Sequence, residues 1–218
     1  MARDERDPPP LTPALLLHAY QVGIFPMAEP DGELRWIDPH RRGVIPLDGL
    51  HVSRSLHKTI RRGGFSITID TAFEQVMRAC ADRDETWISD DIVAAYTALH
   101  DRGYAHSVEY RDDEGRLAGG LYGVSIGAAF FGESMFSLLP SASRIALVWL
   151  VARLRAGGFT LLDTQFVTPH LASMGCVEIP RAVYHAQLVN ALRRHSDWGA
   201  LPSSAPASEI TQLVTQMS

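Results

Sequence analysis

The stretch from Ala105 to Asp163 limits the possible folds more than any other part of the chain. Ala105 to Arg111, Arg116 to Ser125 and Ala128 to Phe136 are rich in β-branched and aromatic residues, and each reads as a strand. Asp112 to Gly115 is a hairpin turn, and Ile126-Gly127 joins the next pair. Ala142 to Ala156 carries its apolar residues at helical spacing and ends at Gly157-Gly158. Phe159 to Asp163 is short and apolar, as a buried strand is. A meander followed by a helix and another strand predicts an α+β domain with an antiparallel or mixed sheet.

The flanks are legible in the same way. Residues 1–11 hold charges and three consecutive prolines, a composition that predicts disorder. Thr12 and Pro13 open a helix as N-cap and first helical residue, and the helix runs to about Val22 before Gly23. Residues 24–43 read as loop, with turn signals at Phe25-Pro26, Pro30-Asp31-Gly32 and Asp38-Pro39 and a short strand from Leu34 to Ile37. A further strand is expected over Val44 to Pro46. Ser53 caps a basic helix that ends at Gly63-Gly64, and Phe65 to Ile69 is a strand. Asp70 is expected to cap a helix to Ala81, and Ser89 to open one reaching Arg102. After Asp163, helices are expected over Thr168 to Met174, Arg181 to Arg194 and Glu209 to Gln216.

Composition excludes several classes. No apolar run approaches the roughly 18 residues that cross a bilayer. The first ten residues carry no apolar signal-peptide core. The two cysteines, Cys80 and Cys176, lie far apart without zinc-ligand spacing, so neither a disulfide framework nor a metal site is expected, and the cytoplasm is the expected compartment. Net charge is −5, but Arg35 to Gly64 holds seven Arg or Lys against two Asp. Such a local basic patch suits a nucleic acid held at one place. A solvated basic face explains the same run.

Two short polar words interrupt apolar strands: Gly132-Glu133-Ser134-Met135-Phe136-Ser137 and Asp163-Thr164-Gln165. Polar side chains in such a strand must be satisfied or used. A strand end with a solvated Glu satisfies the same words. Asp163 and Gln165, two apart on a strand, share a face. Asp163 also reads as a structural acid at a strand end, and His106 reads as a catalytic base or a satisfied core histidine, with the core role favoured. Arg54, Lys58, Arg61 and Arg62 share one face of the basic helix, as phosphate contacts require.

These two words, together with Leu121-Tyr122-Gly123-Val124 and His106-Ser107-Val108-Glu109, resemble the leucyl/phenylalanyl-tRNA–protein transferase family, in order, from about Tyr20 to about Leu192. The resemblance implies an α+β acetyltransferase-like (GNAT) core over residues 41–218 behind a small N-terminal α/β domain over residues 1–40, with the boundary near residue 40. It implies transfer of Leu or Phe, with Met as a third donor, from aminoacyl-tRNA to the α-amine of proteins that begin with Arg or Lys. Such marked proteins would pass to an adaptor–protease system. No cofactor is implied. Gln165 and Asp163 take the catalytic positions. Gln165 would donate to the carbonyl oxygen and accept from the amine, while Asp163 would orient Gln165 or attract the amine. Glu133, then Glu109, are the candidates for holding the acceptor's cation. Leu121, Phe130, Met135, Leu147, Leu150 and Leu162 take the positions of the aminoacyl pocket, although each alone reads as core. Trp87 fits the family pattern for the terminal adenosine. A tryptophan usual after Phe25-Pro26 is Met27 here, and Trp36 is a second candidate. Arg54, Lys58, Arg61 and Arg62 resemble the helix that meets the tRNA acceptor stem.

Two other readings stay open on sequence grounds. A CoA-dependent N-acetyltransferase would share the fold. Against it, Ser137 to Arg144 lacks a Gly-x-Gly pair, and Pro140 removes an amide donor from the turn where a pyrophosphate would sit. A non-catalytic module that binds tRNA or peptides is the other.

Overall fold

The computed structural model describes residues 11–28, 34–83 and 86–215. The expected disorder of residues 1–10 and the turn at Pro30-Asp31-Gly32 lie outside them. A helix α1 (Pro13–Gln21) opens the chain, with Thr12 Oγ1 accepting from the Leu15 amide at 3.2 Å. Strands β1 (Phe25–Ala28) and β2 (Leu34–Ile37) pair antiparallel as a separate ribbon. Then come β3 (Arg41–Val44), α2 (Arg54–Arg62), β4 (Ser66–Ile69), α3 (Phe73–Ala81) and α4 (Asp90–His100). The meander follows as β5 (Ala105–Arg111), β6 (Leu117–Ile126) and β7 (Ala129–Ser137). The chain closes with α5 (Ala142–Ala156), β8 (Leu161–Gln165), α6 (Pro169–Ala172), β9 (Val177–Pro180), α7 (Arg181–Leu192), a 3-10 turn (Trp198–Ala200) and α8 (Ala207–Thr215).

A seven-stranded mixed sheet runs β4-β5-β6-β7-β8-β3-β9, with β7 and β8 its one parallel pair among the described residues. Strand alternation sends neighbouring side chains to opposite faces. Leu121 and Phe130 join the cluster under α2, α5 and α8, while Tyr122 and Phe131 join the cluster under α1, α3, α4 and α7. The result is an α+β molecule with a mixed sheet between two helical layers.

Several expectations need correction. The strand expected over Val44 to Pro46 lies earlier, at Arg41–Val44, and β1 occupies what reads as loop. Strand β9 was not foreseen. Asp70 does not cap α3: it sits at φ 58, and Ala72 occupies the N-cap without a side-chain bond. Its carboxylate instead accepts from the Ser107 amide, His106 Nδ1 and Trp198 Nε1. That arrangement accounts for His106 as a satisfied core residue. It is stacked 4.2 Å from Trp198, and its bond to Asp70 holds the Asp70 carboxyl low against the opposing effect of burial.

Two local features place the site. Parallel pairing of β7 with β8 ends at Phe131↔Asp163, so the strands separate beyond it. Within the β6–β7 pair, Tyr122 faces Ser134 and Gly123 faces Gly132, which leaves Glu133 as the extra residue of a bulge. A bulge re-aims side chains, and here it turns both Glu133 and Ser134 toward one cavity.

Candidate active site

The cavity, about 450 Å³, opens where β7 and β8 part. Its apolar walls include Leu121, Met135, Leu147, Leu150 and Leu162, from β6, β7, α5 and β8. These are five of the six residues expected to form the pocket. The sixth, Phe130, is not a wall: it is wholly buried and stacked on Trp198 at 5.5 Å. Its place on β7 points it to the face under α5 before the bulge resets the alternation.

At the polar end stand Glu133 and Gln165. Gln165 closes β8 with φ 64, a conformation that costs a non-glycine residue about 1–3 kcal/mol unless it is held. Two bonds hold it: its amide donates to Asp163 Oδ1 at 2.8 Å, and its Nε2 donates to Glu133 Oε1 at 2.8 Å. That leaves the Gln165 Oε1 without a donor among the described residues and one N–H unspent. A single amide can therefore accept from an attacking amine and donate to a carbonyl oxygen.

Asp163 has no exposure and no room for an amine. Oδ1 accepts from Arg42 Nε at 2.9 Å, and Oδ2 from Arg42 Nη2 at 2.6 Å and from the Tyr184 hydroxyl at 2.8 Å. Of the two roles expected for it, orienting Gln165 fits this geometry and attracting the amine does not. Arg42 is 1% exposed. Its guanidinium lies 4.5 Å from the Phe25 ring and 4.4 Å from the Tyr184 ring, and Nη1 donates to the Gly23 carbonyl at 3.0 Å. The stacked, bidentate geometry is what Arg offers and Lys does not. Beside it Gly43 has no room for a side chain, since a Cβ would sit 2.7 Å from the Phe166 carbonyl carbon.

Glu133 is surrounded by donors. The Tyr20 hydroxyl donates to Oε1 at 2.7 Å and Tyr96 to Oε2 at 3.3 Å, and the two hydroxyls touch each other. Burial is the largest influence on its carboxyl and drives its pKa up to about 7; the Tyr20 bond resists, the Asp163 charge reinforces, and Arg42 and Tyr96 resist. Glu133 keeps some exposure to the cavity, where water moderates the rise. Burial likewise pushes both tyrosines upward, so they remain donors.

Glu109, the second carboxylate expected at the acceptor site, is elsewhere. It is fully buried on β5 and accepts from the Ser107, Thr68 and Thr71 hydroxyls and from the amides of Thr71 and Ala72 before α3. Those bonds satisfy the carboxylate inside the fold and leave no side facing the cavity.

Trp87 and Met27 line the cavity rim, while Trp36 sits across from Pro26 in the β1–β2 ribbon and does not line it. Arg54, Lys58, Arg61 and Arg62 gather with His57 on the exposed side of α2, and none of the four is ion-paired within the described residues. At the start of α5 the Ser137 hydroxyl accepts from the Ser143 amide at 3.2 Å, which removes another donor from any pyrophosphate turn.

Arg42, Tyr20, Tyr96 and Tyr184 were missed in the sequence. Arg42 carries no local mark that sets it apart from the other six basic residues of that stretch, and the tyrosines meet the site only through tertiary contacts. The donor shell around Glu133 had no sequence signal.

The family model described as leucyl/phenylalanyl-tRNA protein transferase matches residues 44–189, and the model of that family's N-terminal domain matches residues 10–40. The chain is similar to leucyl/phenylalanyl-tRNA–protein transferases of Cereibacter sphaeroides (54% identical, covering 97% of this chain and 99% of the relative), Jannaschia sp. (55%, covering 91% and 94%) and Dinoroseobacter shibae (55%, covering 96% and 96%). A solved structure of L-PGS from Bacillus licheniformis is 13% identical, covers 84% of this chain and 77% of its own, and superposes at a TM-score of 0.45. No helix among the described residues is long and apolar enough to cross a membrane. With the family model spanning most of its length and relatives matching nearly end to end, the chain belongs to the leucyl/phenylalanyl-tRNA protein transferase family.

Proposed function

We propose that this protein forms a peptide bond between Leu or Phe, delivered as the ester of a tRNA, and the α-amine of an acceptor protein that begins with Arg or Lys. The observation that carries this reading is one cavity with an apolar body and a polar end made of Glu133 and Gln165, with the buried Asp163–Arg42 pair behind Gln165. The aminoacyl side chain occupies the apolar body, walled by Leu121, Met135, Leu147, Leu150 and Leu162. Unbranched Met135 adapts to Leu, Phe or Met, while β-branched donors clash with a narrow slot. Trp87 supplies the face on which the terminal adenine stacks, with Met27 beside it. The acceptor stem lies along Arg54, Lys58, Arg61 and Arg62.

The chemistry is modest. The ester is activated, and roughly a tenth or more of an α-amine is neutral near pH 7. The amine nitrogen attacks the ester carbonyl and a tetrahedral oxyanion forms. The amine gives up a proton, and the 3′ oxygen of the ribose leaves with one. Gln165 accepts from the amine through Oε1 and donates to the oxyanion through Nε2. Asp163, neutralised by Arg42, fixes the backbone turn that presents it. Ionised Glu133 takes the acceptor's cation. Orientation of the two substrates supplies much of the rate.

The fold is read as an acetyltransferase-like core over residues 41–218 behind a small domain over 1–40. The parallel β7–β8 pair that parts around a cavity, joined through α5, supports that reading. The Ser137–Ser143 contact and Pro140 count against acetyl-CoA as donor. Acceptor proteins so marked pass to a degradation system, and the cytoplasm is where these substrates meet.

The test is single-turnover transfer of labelled Leu from charged tRNA to a peptide beginning with Arg. Transfer supports the reading. Acetylation of the same peptide from acetyl-CoA, or binding without transfer, sinks it.

A further inference from the structure

We propose that Arg83 binds the phosphate on the 5′ side of the tRNA's terminal adenosine, so that the cavity has an anionic end for the acceptor and a cationic rim for the donor. The inference rests on the reading of the cavity as the transfer site and deepens it. Arg83 stands in the turn after α3, is exposed, and lines the cavity mouth with Trp87 and Met27. It is the one Arg or Lys among the described lining residues.

Its guanidinium is aimed rather than loose. Nε donates to the Cys80 carbonyl at 2.7 Å, and Nη2 donates to Ser134 Oγ at 2.8 Å. Ser134 reaches this side because Glu133 is the extra residue of the bulge. Nη1 and one N–H of Nη2 have no partner among the described residues, and no described carboxylate pairs with the group. Of the three unspent N–H groups on the planar fork, one on each terminal nitrogen can meet the two oxygens of a phosphodiester.

The chemistry of the donor makes this placement useful. An aminoacyl ester on the terminal ribose puts an apolar side chain, an adenine and one phosphate within a nucleotide's length. The cavity offers an apolar body, an indole and one arginine in the same compass. A cation at this rim also turns away the acceptor's cationic side chain, which then has one attractive group left, Glu133. The bulge thus sets the two ends apart within three consecutive residues of β7, Gly132 to Ser134.

Two hydrolysis-resistant donor mimics test it: the 3′-leucylamide of adenosine, and the same compound with a 5′-phosphate. Binding to the wild-type protein, to Arg83→Ala and to Arg83→Lys is measured by calorimetry at fixed salt. Wild type is expected to prefer the phosphorylated mimic by about tenfold, the scale of one charge-assisted contact. Arg83→Ala erases the preference and leaves the affinity for the unphosphorylated mimic within twofold. Arg83→Lys, which keeps the charge without the fork, restores part of it. A preference that survives Arg83→Ala overturns the assignment, as does equal loss for both mimics, which would make Arg83 a prop for the rim. Transfer of Leu by the wild-type protein to an Arg-starting peptide is the parallel control. Its failure would sink the parent reading, whereas retained transfer with a retained phosphate preference sinks only the role of Arg83.

Discussion

Gln165 is the residue on which the proposed chemistry converges. Its backbone is held at φ 64 by Asp163, and its amide is held by Glu133. Gln165→Ala is expected to lower kcat about 10- to 100-fold with both binding constants within about threefold. A lost oxyanion donor costs roughly 2.7–4 kcal/mol in demanding acyl transfers, and less is expected with a reactive ester. Single-turnover transfer at saturating tRNA and peptide reads it, and a rate within twofold of wild type would make Gln165 structural. Glu133 carries a second prediction. Its pKa is raised from an ordinary carboxylate value to about 7, chiefly by burial. The folded state thus holds a proton that the unfolded state has released between about pH 4.5 and 7, so this group's contribution to stability falls as pH rises through that window. On the proposed role of Glu133 activity should run the other way, because an acceptor's cation would need Glu133 ionised and the attack needs a neutral amine. Below pH 7, log kcat/KM for an Arg-starting peptide should climb with a slope near 2. In Glu133→Gln the slope should be near 1 and the peptide KM higher, by the cost of a charge-assisted bond, about 1.5–3 kcal/mol. A slope of 1 in both proteins would remove Glu133 from acceptor binding. Both residues were legible in the sequence because a carboxylate and an amide stand among apolar strand residues. The donors around Glu133 were not legible: Tyr20 and Tyr96 are tyrosines on amphipathic helices, indistinguishable there from core.

At the scale of elements, one buried ion pair ties five segments together. Arg42 on β3 reaches Asp163 on β8, the Gly23 carbonyl after α1, and the rings of Phe25 on β1 and Tyr184 on α7. Removing one partner leaves the other as an uncompensated buried charge. Arg42→Ala should therefore destabilise the protein by about 3–5 kcal/mol, whereas Arg42→Met combined with Asp163→Leu should recover most of that loss. The double variant should still fail in transfer, since the turn at Gln165 has lost its acceptor. Urea denaturation with parallel transfer assays separates the two effects. A double variant as unstable as Arg42→Ala would mean that the pair contributes net stability, against the expected balance. The strands from Ala105 to Gln165 and helix α5 were readable from periodicity and glycine stops. Strands β1 and β9 were not, because each is four residues long and includes a proline, and β9 gains its pairing from the distant β3. The bulge at Glu133 was also hidden. Plain alternation would put Glu133 and Ser134 on opposite faces, and only the β6 register shows otherwise.

At the scale of the whole molecule, the question is how a chain of net charge −5 holds a polyanion. The local excess counted between Arg35 and Gly64 is smaller in space than in sequence. Arg42 is consumed by Asp163, and Arg41 meets Glu178 at 3.3 Å on the surface. What remains outward is the face of α2, where Arg54, Lys58, Arg61 and Arg62 lie together without described acidic partners, above Leu56 and Ile60, which anchor the helix in the core. The helical spacing made this face visible in the sequence, whereas the charge sum overstated it by counting buried and paired cations alike. Four cations on a rigid helix can neutralise phosphates without reading bases, so binding should be shape-directed and steeply salt-dependent. Reversing Arg54 and Arg61 to Glu, both exposed, should leave the fold intact and weaken tRNA binding at low salt. Each lost phosphate contact should lower the slope of log K against log salt by about 0.7–0.9, so the pair should lower it by about 1.4–1.8. Filter binding of charged tRNA across a salt series gives that slope, with circular dichroism as the check on folding. An unchanged slope would make α2 a solvated face and move the acceptor stem elsewhere. If the slope falls as expected while the adenosine mimics bind these variants as they bind wild type, stem and terminal nucleotide are held by separate surfaces.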